Sequence, residues 1–276
     1  MPTIRINDVQ LYWELTGDAG DLLVLVHGSW GDHHNWDSVV PAFSRSFRVL
    51  TYDRRGHSQS ERPVPQGSVR DDVADLAALI EHVGGAPAHV VGNSFGGSIV
   101  LRLAGERHEL FQSLVVHEPP LFRLLEAEPD AQVALSAVEK RIGVVIQLLT
   151  SGDLAGGARE FVETIAFGPG AWGQLPPDLQ ETFIFNALTW LDEMRDPETL
   201  TLDRDRLRTF SAPALLTVGE QSAPFFPLVV GEIARVLSQA ITKTFAWAGH
   251  VPHLSHPDEY VAAVTSFARG ATWVGA

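Results

Sequence analysis

Residues 92–96 read Gly92-Asn93-Ser94-Phe95-Gly96, a G-x-S-x-G pattern with a short aliphatic run before it and a helical period after it. In a strand–turn–helix setting this spacing puts Ser94 on a turn too tight for a side chain at either flanking position and thrusts its hydroxyl into a cleft. The following helix N-terminus then aims backbone N–H groups at negative charge developing beside the serine. A serine hydroxyl is a weak nucleophile until a base takes its proton, so this chemistry requires a histidine. Of eleven histidines, His250 stands apart in Trp247-Ala248-Gly249-His250-Val251-Pro252. It comes first after the last strand-like run, on a loop returning to the sheet edge where open α/β sheets bind ligands. Its rivals are His253, placed to back that loop or line the pocket, and His256, which precedes Pro257 at a helix start.

The other candidates have plainer readings. His33, His34, His82 and His108 read as surface or helix residues, and His27 as a hydrogen-bonding residue at a strand end. Asp53-Arg54-Arg55-Gly56-His57-Ser58 reads as a structural turn in which Asp53 accepts backbone N–H bonds. Asp32, His33, His34 and His57 match no metal-site spacing, so neither a metal nor a cofactor is expected.

The elements that must hold these residues alternate. Ile4 and Ile6, then Val9, Leu11, Trp13 and Leu15, predict a hairpin around Asn7-Asp8. Unbroken aliphatic runs follow at Leu22 to Val26, Phe47 to Tyr52, Ala88 to Val91, Ser113 to His117, Ala214 to Val218 and Ile241 to Ala246. Such runs suit strands buried on both faces. Helical periods separate them: one from Ser68, a candidate N-cap, to Gly84-Gly85, and others over Ile99 to Leu103, Leu228 to Leu237 and Tyr260 to Phe267. The pattern predicts a doubly wound, mostly parallel α/β sheet. Between Pro119 and Arg208 only helical periods and Pro/Gly turns appear. Residues 119–208 therefore read as a helical cap inserted into a core of residues 1–118 and 209–276.

Composition narrows the function classes. Twenty Lys and Arg against thirty-four Asp and Glu give a net charge of −14 over 276 residues, which argues against a nucleic-acid binder. No cysteine is present, which removes disulfides, thiolate metal sites and a thiol nucleophile. No apolar run is long enough to span a bilayer, and Met1 to Asp8 has no signal-peptide pattern, so a cytoplasmic protein, monomer or homodimer, is the expectation.

These residues resemble the α/β-hydrolase superfamily over nearly the whole chain: His27-Gly28 after the third strand, Asp53 to Ser58 after the fourth, the Ser94 turn and the Ala248-Gly249-His250 loop. The resemblance implies acyl transfer with the triad order serine, acid, histidine, and an oxyanion hole from the backbone N–H groups of Ser29 and Phe95. The usual Asp after the seventh strand is missing, because Gly219-Glu220-Gln221-Ser222 stands there. Glu118 closes the sixth strand at the same sheet edge as Ser94, and its length would let it reach His250; Glu220 is the rival acid. An acid after strand six, in a His-Glu-x-Pro setting like His117-Glu118-Pro119-Pro120, is similar to the zearalenone lactonases. Those enzymes carry a cap tryptophan where this chain has Asn186, which departs from that substrate.

Trp30, beside Ser29, and Val251, beside His250, join Phe122, Asn186 and Trp190 as candidate substrate-binding residues. Facing the cleft, Asn186 would orient a substrate carbonyl; facing water, it would be filler. The expected function is hydrolysis of small carboxylic esters or lactones. The alternatives are carbon–carbon bond hydrolysis of ring-cleavage products, whose enzymes keep the Asp missing here, and a hydrolase-fold ligand receptor with little turnover.

Overall fold

The structure, a computed structural model, describes residues 2–63 and 67–270. Thr3–Ile6 (β1) and Val9–Thr16 (β2) form the expected antiparallel hairpin, turned by Asn7 and Asp8 at φ 45° and 64°. Two successive left-handed residues suit a two-residue connection, whose twist matches that of the paired strands. Leu22–Val26 (β3), Arg48–Tyr52 (β4), Ala88–Asn93 (β5), Phe111–His117 (β6), Ala214–Gly219 (β7) and Ile241–Phe245 (β8) complete one eight-stranded sheet. Its order is β1-β2-β4-β3-β5-β6-β7-β8, antiparallel at β1, β2 and β4 and parallel from β4 to β8. The sixth strand starts two residues earlier than the aliphatic run, at Phe111, because Gln112 adds an exposed position the run could not reveal.

The parallel strands bury both faces. Leu22, Val24, Val26, Val90, Leu114 and Leu216 enter one apolar cluster, while Leu23, Leu25, Val91, Val115 and Leu215 enter the other. Full burial of each such side chain contributes roughly 1.5–3 kcal/mol. The helices are Val40–Phe43 (α1), Val69–Val83 (α2), Phe95–Glu106 (α3), Gln132–Thr150 (α4), Leu154–Phe161 (α5), Pro177–Arg195 (α6), Arg204–Arg208 (α7), Phe225–Val236 (α8), Pro252–Ser255 (α9) and Pro257–Ala268 (α10). Residues of α2, α3 and α8 fill the first cluster, and residues of α10 the second. At the start of α2 the Asp71 carboxylate accepts from Ser68 N at 2.7 Å in a reciprocal capping box, and Gly84 ends the helix at φ 69°.

Two features position the site. After β3 the chain steps outward to β4 and then crosses back to β5 on the other side, so the loops after β3 and β5 diverge and open a crevice at the C-terminal edge. Between β6 and β7 the chain forms only helices, α4 to α7 with short 3-10 and π turns. Of these, α7 lies within the segment expected as cap yet packs on α3, where a Cβ on Gly105 would stand 3.1 Å from Leu207 N. No helix among the described residues is long and apolar enough to cross a membrane.

Candidate active site

The turn at the end of β5 places Ser94 at φ 53° and ψ −123°, a left-handed conformation that costs a non-glycine residue about 1–3 kcal/mol. Packing over-determines it. A Cβ on Gly92 would lie 2.6 Å from Gly96 O, and one on Gly96 would lie 2.6 Å from His27 O, so both flanking positions exclude any side chain. Ser94 N donates to His117 O at 2.8 Å, tying the turn to β6. Gly28 approaches from the other side, with the place of its missing Cβ 3.0 Å from Ser94 Cβ and 3.5 Å from Ser94 Oγ. The Gly28–Ser29 backbone thus borders the serine hydroxyl, and the first N–H groups of α3, beginning with Phe95, have no carbonyl one turn back to bond.

His250 and Glu118 meet across the sheet edge. The Glu118 carboxylate can only accept, so His250 Nδ1 carries the proton and donates to Glu118 Oε2 at 2.7 Å, which leaves Nε2 as the basic nitrogen. Glu118 Oε1 accepts from Gly219 N at 2.7 Å. Glu118 is fully buried and itself sits at φ 47°. Burial opposes its charge, but His117 and the hydrogen bond and charge of His250 outweigh that and hold its pKa at about 2, against an ordinary 4.5. The imidazole of His250 stacks on Phe226, with centroids 4.5 Å apart and planes at 18°, and Asn93 Nδ2 donates to its carbonyl at 3.0 Å.

The rivals lie elsewhere. Glu220 is exposed and accepts from Trp247 N at 3.1 Å, bracing the β8 loop. His253 is buried against Trp36, with centroids 4.4 Å apart, and burial drives its pKa well down. His256 Nδ1 pairs with the Ser255 hydroxyl at 2.9 Å. Ser222 places a buried hydroxyl, not a carboxylate, in the turn after β7.

Ser94 and His250 open on one small cavity, shared with Ser29, Phe95, Phe122 and Trp190. No Lys, Arg, Asp or Glu is among the described residues lining it. Ile165 and Ala166 reach it from a π-helical turn, Val162–Ala166, that continues α5. Trp30 stands behind the wall, stacked on Phe161 at 4.9 Å and tilted against Trp190 at 5.2 Å. Val251, the N-cap of α9, does not line the cavity.

Asn186 requires correction, because it faces neither cleft nor water. It is wholly buried where α6 meets the loops after β3 and β4, and there Nδ2 donates to Trp30 O at 3.0 Å, to Gly31 O at 3.1 Å and to Ser58 Oγ at 3.2 Å. Oδ1 accepts from Ser58 N at 2.9 Å, so its polar capacity is spent on the protein. Thr189 Oγ1 donates to Gly56 O at 2.6 Å, and Glu193 accepts from Ser29 Oγ at 2.6 Å, two junction contacts that the sequence reading missed. The available signal was a polar stripe on α6, with Thr189 and Glu193 three and seven residues after Asn186 on one helical face. His33 is likewise buried rather than superficial. Its ring Nδ1 and backbone N both contact Asp53 Oδ1, at 2.6 and 2.9 Å, and Gln59 N donates to Asp53 Oδ2 at 2.9 Å, so Asp53 is the turn acceptor expected. His27 Nε2 accepts from Arg54 N at 2.9 Å, the strand-end role read from the sequence.

A family model described as "Alpha/beta hydrolase family" matches residues 23–263. The chain is 27% identical over 263 residues to the sn-1-specific diacylglycerol lipase ABHD11 of Mus musculus, covering 92% of this chain and 83% of that one. It is 38% identical over 94 residues to the dihydrolipoyllysine-residue acetyltransferase component of the acetoin cleaving system of Pseudomonas putida, a match spanning 34% of this chain and only 25% of that protein. Its fold superposes on an enol-lactonase from Burkholderia xenovorans LB400 with a TM-score of 0.79 at 19% identity, covering 96% of this chain and 99% of that one.

Proposed function

We propose that this chain, which belongs to the alpha/beta hydrolase family, is a serine hydrolase that cleaves small carboxylic esters or lactones through an acyl-enzyme on Ser94. The observation that carries this reading is the His250–Glu118 hydrogen bond of 2.7 Å, with the imidazole and the Ser94 hydroxyl opening on one cavity. His250 Nε2 takes the Ser94 proton as Oγ bonds to the carbonyl carbon, and the carbonyl pair moves onto oxygen. The N–H groups of Ser29 and Phe95 hold that oxyanion, and Glu118 stabilises the imidazolium through Nδ1–H. Collapse breaks the carbon–oxygen bond, and His250 returns its proton to the leaving alkoxide. Water, deprotonated by the same nitrogen, then releases the acid and restores Ser94.

The cavity fits substrates whose acyl part is uncharged and apolar. Without a cation in the lining, a carboxylated acyl chain would lose its hydration and gain no partner. A panel of p-nitrophenyl esters and lactones tests the proposal. Many turnovers on neutral esters, little on an acid-tailed analogue and loss of turnover in Ser94→Ala are expected. Single-turnover behaviour in the wild type would mark a receptor instead, and equal activity in Ser94→Ala would refute the nucleophile.

A further inference from the structure

The loop after β3 is gripped from the cap. Glu193, 5% exposed on α6, accepts from Ser29 Oγ through Oε2 at 2.6 Å, and its Oε1 accepts from Arg54 Nη2 at 2.6 Å. Arg54 is buried too; its Nη1 donates to Gly28 O at 3.3 Å, its Nε donates to Asp72 Oδ1 at 3.1 Å, and its guanidinium lies 4.6 Å over the Phe95 ring. Two turns back on the same face of α6, Asn186 holds the Trp30 and Gly31 carbonyls. The carbonyl before Ser29, its hydroxyl and the carbonyl after it are therefore all held, in a segment where Trp30 adopts φ 71°. A non-glycine residue persists there only when its surroundings over-determine it. The peptide between Gly28 and Ser29 carries the N–H assigned above to the oxyanion.

We infer that Glu193 is a positioning residue: by holding the Ser29 hydroxyl and, through Arg54, backing the Gly28 carbonyl that His27 Nδ1 bonds at 2.7 Å, it fixes the plane of the Gly28–Ser29 peptide, so that the oxyanion site is complete only with α6 docked. The inference rests on the proposed hydrolase reading for its catalytic consequence, but not for the clamp itself. An ordinary core ion pair would lower stability on removal. A clamp on a donor lowers the rate of the step that develops oxyanion charge and spares substrate binding.

The test uses the full chain with Ser29→Ala, Glu193→Ala, Glu193→Gln and the Ser29→Ala/Glu193→Ala double variant. Ser29→Ala keeps the backbone N–H and removes only its tether. Each alanine variant should lower kcat by about ten- to a hundredfold, less than the loss of a whole donor, with KM within about twofold. The double variant should be no slower than Glu193→Ala, because both changes break one link. Glu193→Gln, which keeps an acceptor for Ser29, should recover part of the loss. Affinity for a trifluoromethyl ketone that mimics the tetrahedral adduct should fall by the same factor as kcat. In parallel, amide hydrogen exchange of the segment containing Ser29 should quicken in Glu193→Ala and Ser29→Ala. Should Glu193→Ala fail to fold, Ser29→Ala and Glu193→Gln still decide the matter. Fold-losses that multiply in the double variant, a change in KM alone, or unchanged exchange around Ser29 would overturn the inference. If the wild type hydrolyses no ester, the function proposed above falls while exchange still reports whether the clamp exists.

Discussion

Among the described residues, two buried imidazoles hydrogen-bond a buried carboxylate, His250 to Glu118 at 2.7 Å and His33 to Asp53 at 2.6 Å, and their settings differ. In both, Nδ1 faces the carboxylate. The far nitrogen of His250 belongs to a side chain that opens on the apolar cavity beside Ser94. The far nitrogen of His33 lies 3.9 Å from Glu14 Oε1, and Asp53 is filled by backbone donors. Burial works against a charge on His33, but Asp53, Asp32 and Glu14 raise its pKa, so it tends toward a cation rather than a base. The difference teaches that a histidine with its carboxylate becomes a candidate general base only when the second nitrogen is left for a substrate-facing proton. Where carboxylates surround the whole ring, the same pair becomes a staple.

The contrast can be broken most sharply at the acids. Glu118→Gln should lower kcat by roughly 10³–10⁴-fold, because the amide cannot hold the same tautomer or balance an imidazolium. Steady-state kinetics on a p-nitrophenyl ester should show Glu220→Gln within a few-fold of wild type; the reverse ranking would move the acid to the β7 loop.

Acid titration sharpens the comparison further. A carboxylate depressed from 4.5 to about 2 adds stability that is fully present above pH 4.5 and is lost as pH falls toward 2. Urea unfolding at a series of pH values should therefore show wild type losing more stability than Glu118→Gln across that window. Parallel curves would mean that the native fold does not favour the Glu118 anion.

The smallest effect on chemistry is expected at the staple. Asp53→Asn should cost about 1–3 kcal/mol of stability through weakened bonds from His33 and Gln59, while kcat of the folded fraction stays within a few-fold. Thermal melts with parallel kinetics check this, and a kcat loss comparable to that of Glu118→Gln would erase the distinction between the pairs.

What could be read from the sequence follows from how local each signal is. Ser94 sits in five consecutive residues whose glycines are required by close backbone approach, and His250 follows a strand directly. Glu118 was visible through an absence, since no Asp follows β7 before the histidine. The strand pattern was equally local, because a run buried on both faces needs no partner to be recognised. The junction was not legible in this way. Asn186, Thr189 and Glu193 meet loops more than 120 residues away, and nothing near them in the chain announces those partners. Asn186 on α6 therefore reads as a cleft contact or as filler, when its partners are the Trp30 and Gly31 carbonyls and Ser58. His33 looked superficial for the same reason, its partner Asp53 lying twenty residues on across a strand.

The most direct measurement is mass spectrometry of the protein quenched shortly after mixing with p-nitrophenyl acetate. A single acetyl group on the peptide containing Ser94, appearing with the burst of nitrophenol and missing in Ser94→Ala, is the expected result. Turnover with no acetylated peptide, or with the acetyl group on another residue, would contradict a Ser94 acyl-enzyme.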